Sequence, residues 1–356
     1  MHGTLSVAPA ALEGANALTD TERLVELEPG RSPRHAGRSG TGRIGSVEVL
    51  AAVLILVVVL RGPISGALSA PALQTWMTVF ASILTQSVPF LVFGVVLSAV
   101  IAVFVPASFF TRALPRKPAL AVPVASAAGV VLPGCECASV PIAGALVRRG
   151  ITPAAALAFL LSSPAINPVV LASTAVAFPG KPEMVLARGV ASILTATAMG
   201  WLWLRLGRAD WIRLPHRTHV DGMAKWPAFW ASVRHDVAHA GGFLVLGSMA
   251  AATVNTVLPQ RFLLQVGHTP VLSVLALAVF AVVLSICSEA DAFVAASLTQ
   301  FSLTARLAFL VVGPMIDLKL FAMQAGVFGR QFAVRFAPAT FVLAILVSLG
   351  VGAVLL

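Results

Sequence analysis

Between Val88 and Val105, and again from Thr340 to Leu356, the chain carries no charged residue. Each stretch is long enough to cross, or nearly cross, bilayer hydrocarbon as a helix, where every backbone polar group must be satisfied internally. Composition points the same way: 58% of residues are hydrophobic and 11% are charged, against about 25% charged in an ordinary soluble domain. The expected solvent is lipid and the expected fold is an all-α polytopic bundle. The net charge of +10 comes from basic residues that punctuate the apolar segments. They form no patch interleaved with aromatics, so they read as topology signals facing anionic lipid and not as a nucleic-acid surface.

Residues 1–43 are polar, end in Arg31, Arg34, Arg38 and Arg43, and contain no signal-peptide core. A disordered cytosolic tail is expected there, followed by a first spanning helix over 44–61. From residue 73 the chain repeats itself. Pro89–Gly94 falls on Gly242–Gly247, Gly129–Cys135 on Ala281–Cys287, and Leu157–Asn167 on Leu307–Asp317, so the offset drifts only from 153 to 150 residues. Two repeats follow, 73–206 and 228–356, joined by a cytosolic linker over 207–227.

Each repeat is expected to hold a long helix (Leu73–Val105; Ala228–Leu258), an interrupted segment (Ala119–Val147; Val271–Leu298), a Pro-broken helix (Thr152–Phe178; Leu303–Phe328) and a closing helix (Met184–Leu206; Arg335–Leu356). The interrupted segments are too long for one helix and too short for two spanning ones, which suits re-entrant hairpins. Arg112, Arg116 and Lys117 before the first hairpin and Arg148 and Arg149 after it place both its ends in the cytosol. Three crossings per repeat then turn the second repeat upside down. Inverted repeats with discontinuous helices are an architecture of secondary transporters, with the site at the repeat interface.

The chemistry-bearing residues fall at the interruptions. Cys135-Glu136-Cys137 sits at the first hairpin tip, and Cys-x-Cys offers soft sulfur ligands to thiophilic species. It lacks the four-ligand set of a structural zinc site, and no resident metal or cofactor is expected. Small, soft packing residues are the alternative, but they leave the carboxylate between the thiols unexplained. The second tip carries Cys287, Glu289 and Asp291. The duplication sets Cys287 opposite Cys135, and the two acids are candidates for proton coupling or, alternatively, helix-start caps. Pro164, Pro168 and Pro314 are expected to break the following helices, with Asn167 and Asp317 as equivalent polar groups and Lys319 as a partner for Asp317. Met315 and Met323 read as core. His216, His219, His235 and His239 read as solvated or interfacial, with no metal among them.

These residues resemble a bacterial permease family that includes trivalent organoarsenical efflux permeases. The resemblance runs over about 73–335 and is carried by Cys135–Cys137 with Pro141, Arg148–Leu160, Ser163–Pro168, Cys287–Asp291 and Gly313–Asp317. Glu136 departs from the small or polar residue expected there. The resemblance implies an inner-membrane, multi-pass efflux permease whose first-motif cysteines handle substrate. The combined expectation is a proton-coupled secondary transporter of a small soft solute, not an enzyme, with lipid as its partner and arsenical resistance as one outcome; its oligomeric state is not legible. No Gly-rich phosphate loop is present to suggest ATP hydrolysis. The rival is a membrane thiol–disulfide oxidoreductase using Cys135 and Cys137, although such enzymes generally carry Cys-x-x-Cys.

Overall fold

The computed structural model describes residues 71–106, 109, 114, 115, 117–131, 135–214, 224–257 and 270–356. The expected tail over 1–43, the first helix over 44–61, Arg112, Arg116, His216 and His219 lie outside the described residues. Among the described residues there are twelve α-helices and no strand. The first six are α1 (Pro71–Val103), α2 (Pro118–Ala128), α3 (Glu136–Arg148), α4 (Pro153–Ile166), α5 (Pro168–Ala177) and α6 (Pro182–Leu206). The next six are α7 (Lys225–Val257), α8 (Pro270–Leu284), α9 (Asp291–Ser297), α10 (Leu303–Met315), α11 (Leu318–Phe328) and α12 (Arg330–Leu355). The second set repeats the element order of the first.

Among the described residues, six helices, or pairs of helices in line, are long and apolar enough to cross a membrane: α1, α4 with α5, α6, α7, α10 with α11, and α12. That makes three in each set. The arms α2, α3, α8 and α9 span 11, 13, 15 and 7 residues, and none is long enough alone. The shortest, α9, ends where Leu298–Phe301 turns back on itself before Ser302 caps α10 by accepting from the Ala305 N–H. The protein is thus an all-helical, multi-pass membrane protein.

Proline and amide chemistry explains the breaks. At the first, Asn167 is extended, its side-chain oxygen accepts from the Val170 N–H at 2.9 Å, and Pro168 takes the first helical position, where its missing N–H costs nothing. At the second, Asp317 does the same for Leu320 at 2.5 Å. Pro164 and Pro314, expected as breakers, lie inside α4 and α10. The chain stays helical for two residues beyond Pro164 and one beyond Pro314; the turn is lost at the capping Asn167 in the first case and at Ile316, just before the capping Asp317, in the second. Gly329, with φ +97°, lets α11 turn into α12 through one residue, a conformation costly for any side chain.

The broken helices α4 and α10 are almost wholly buried at the centre, whereas α1, α7 and α12 keep most of their apolar surface outward, as lipid-facing helices do. α1 and α7 pack along each other, α1 carries α3, and α7 carries α11. Glycine makes both close approaches possible: a Cβ on Gly94 would collide with the Ala138 backbone, and one on Gly247 with the Lys319 backbone. Gly94 and Gly247 are equivalent under the sequence repeat, but α3 and α11 are not. The packing therefore departs from the repeat at the two helices that carry Glu136 and Lys319.

Candidate functional site

Cys135 is extended and caps α3, so the second arm of the first hairpin starts with Glu136 in its positive first turn. Cys287 lies in the irregular stretch 285–290 between α8 and α9. The fold brings these separate tips together. Sγ of Cys135, Sγ of Cys287 and a carboxylate oxygen of Glu136 all lie within 4.8 Å of one another. The Cys135 thiol also meets that of Cys137. All three cysteines are free thiols and none is more than 1% exposed. Three soft donors and a carboxylate in one dry place could hold a small thiophilic species.

Glu136 does not stand alone. Lys319 Nζ lies 2.5 Å from Glu136 Oε1 and 3.6 Å from Asp317 Oδ2, with all three side chains about 1% exposed. Lys319 was expected to answer Asp317; its nearer partner is Glu136, from the other set of helices. The same ammonium donates to the Ser285 carbonyl at 3.4 Å, and the Ser285 hydroxyl accepts from the Leu318 N–H at 3.3 Å. Ser285 has φ +51°, the sole positive φ outside glycine among the described residues, a conformation costing roughly 1–2 kcal/mol for an L-residue. The strain sits two residues from Cys287 and holds the second tip against the break at Asp317.

Asp291 was expected as a proton carrier or a cap. It stands in the first turn of α9, where the cap reading places negative charge, with Ala290 in the N-cap position. Arg188 of α6 also pairs with it at 3.0 Å, donates from the same nitrogen to the Ser288 carbonyl at 3.1 Å, and from the other to Thr174 Oγ1 at 2.7 Å. Arg188 is fully buried. Its role went unread in the sequence, where α6 looked like a plain closing helix; the signal was a lone arginine well inside an apolar helix, a functional candidate by default. Glu289, at the same tip, is partly buried.

Asn167 is buried, with its side chain committed to capping α5. Met315 and Met323 are core residues. His235 and His239 stack with ring centroids 6.1 Å apart, and His239 Nε2 lies 3.1 Å from the Gly326 carbonyl. They line a small cavity with Pro141, Arg148 and Asp236 that none of the three cysteines lines.

Comparison with known proteins agrees with this architecture. The family model ArsP_1, described as "Predicted permease", matches residues 72–352. The "UPF0718 protein YcgR" of Bacillus subtilis (strain 168) is 34% identical over 263 residues, covering 72% of this chain and 89% of that protein. The "Putative two-component membrane permease complex subunit" of Streptococcus mutans serotype c is 30% identical over 285 residues, covering 78% of this chain and 94% of that one. No solved structure matches the chain. With nearly the whole described region inside the family match, the chain belongs to the ArsP_1 predicted permease family.

Proposed function

We propose that the protein is a secondary efflux permease of the cytoplasmic membrane that binds a small, soft, thiophilic solute at Cys135, Cys137 and Cys287, with Glu136, Asn167 and Asp317 shaping the site. A trivalent organoarsenical is the example that the sequence resemblance supplies. The observation that carries the reading is the meeting of three buried thiols from two separate hairpin tips, beside an ion pair that joins the two sets of helices. Site placement at such a junction is what alternating access requires, because moving one set against the other opens the thiols to either side. The two sets are inverted repeats, the N-terminus and the 207–227 linker are cytosolic, and transport is coupled to protons. Glu289 carries the coupling proton, being an acid at the second tip that is less enclosed than Asp291, the acid to which Arg188 is hydrogen-bonded. The full burial of the thiols weighs against a thiol–disulfide oxidoreductase, which must offer its cysteines to a protein partner. The streptococcal relative's name makes a second polypeptide a partner class for this chain too.

Uptake into everted vesicles, with phenylarsonous acid and a hard cation as parallel solutes, tests the reading. Cys135→Ser with Cys137→Ser replaces sulfur by oxygen at nearly constant volume. Uptake of the soft solute should be lost at unchanged membrane expression. Full uptake in the double variant would mean that the cysteines only pack.

A further inference from the structure

Cys287 lies outside the helices, although its carbonyl accepts from the Ala290 N–H and from the Asp291 N–H that opens α9, while the Ser285 N–H bonds the Ala281 carbonyl. These local bonds tie the tip to its own hairpin arms, and its placement against the first hairpin is set by what grips it from outside. On one flank that is the Ser285 contact with Leu318 and Lys319. On the other it is Arg188, which takes the Ser288 carbonyl and the Asp291 carboxylate together.

We infer that Arg188 is a positioning residue of the thiol site, whose forked guanidinium holds the second hairpin tip so that Cys287 stands against Cys135. The fork is itself anchored. Its other nitrogen donates to Thr174, whose hydroxyl donates to the Val170 carbonyl at 2.7 Å, in the first turn of the helix that Asn167 caps. A line of bonds thus runs from the break after α4, through α5 and α6 of the first set, to the tip of the second. Packing alone does not call for it. A buried ion pair is often no more stabilising than an apolar pair of the same volume, and what it supplies is orientation. Only arginine presents rigid, divergent donors to three acceptors; a lysine is a single flexible point charge. The inference deepens the reading of the thiols as the solute site, but its geometry and its test do not depend on transport.

The test uses the full chain in lipid nanodiscs and phenylarsine oxide, whose arsenic bridges two thiols while its oxygen leaves as water with both thiol protons. Proteolysis and mass spectrometry then report which cysteines share an arsenic. In the wild type a substantial share of bridges should contain Cys287. In Arg188→Met with Asp291→Leu, which strands no charge, that share should fall by about tenfold or more, since small displacements of reacting groups carry such factors. The arsenic should shift to Cys135–Cys137, with helix content and monodispersity kept. Arg188→Lys should give an intermediate loss, as the charge remains and the fork does not; it decides the matter alone if the double variant fails to fold. An unchanged Cys287 share in whichever variant folds overturns the inference, as does a wild type that bridges only Cys135 to Cys137. A loss of Cys287 bridges in a protein that moves no solute would sink the permease reading and leave the positioning role standing.

Discussion

Lys319 answers two carboxylates with one ammonium, and its removal is not equivalent to theirs. Lys319→Met leaves Glu136 and Asp317 both buried without a cation, whereas Glu136→Gln leaves Lys319 with Asp317 at 3.6 Å. Breaking a buried pair from one side costs about 3–5 kcal/mol, because a charge is left uncompensated. Lys319→Met should therefore be the more destabilising of the two, approaching that figure in SDS-titrated unfolding, and Glu136→Gln should lose clearly less. Equal losses would mean that Asp317 does not feel the ammonium. The sequence showed that a lysine and four acids stood in apolar surroundings, which marked them for attention. It did not show who pairs with whom. Arg188 and Asp291 are 103 residues apart and Lys319 and Glu136 are far apart as well, so partner choice depends on how whole helices are brought together.

Elements were more legible than pairs, because their signals are local. The offset between Pro89 and Gly242, and the prolines around Asn167 and Asp317, located two long helices and two broken ones to within a few residues. Proline, however, marks a neighbourhood and not a residue. Pro164 and Pro314 are absorbed within their helices, and the next helix starts where a side chain replaces the missing backbone acceptor, at Asn167 and at Asp317. The hairpin arms differ in length: at the second tip, contacts to the Ser285 hydroxyl and the Ser288 carbonyl stand in place of helical turns, and α9 has only seven residues. Nothing local announces that substitution: a serine with φ +51° reads in sequence like any other serine.

On the scale of the molecule, the proposed inversion has each set cross three times, using the three helices per set that are long and apolar enough among the described residues, and so expects the two ends of the second set on opposite sides. Single cysteines introduced at Arg213 and Leu356, in a background without native thiols, should be labelled by an impermeant maleimide from opposite faces of the membrane. Labelling of both from the same face would end the inverted-repeat proposal. The duplicated order was legible because it is written in equivalent residues such as Gly94 and Gly247. The departure from it, α3 on α1 but α11 on α7, was not, since equivalent glycines admit any small or flat neighbour.

The length of α1 ties the protein to the thickness of its membrane. Its 33 charge-free residues make a helix of about 50 Å, against about 30 Å of hydrocarbon, a mismatch that tilting, bending at Pro89 or local thickening of the bilayer would absorb. That helix is fastened through Gly94 to α3, whose first residue is Glu136. A thicker bilayer would draw α1 upright and a thinner one would lay it down, and α3 would be carried along with it. Reconstituted uptake should therefore peak at one acyl-chain length and fall in both shorter- and longer-chain lipids; a flat profile would show that α1 slides without moving α3. A membrane protein built in this way would read the elastic state of its host membrane, and a cell that remodels its fatty acids would retune it without touching the protein.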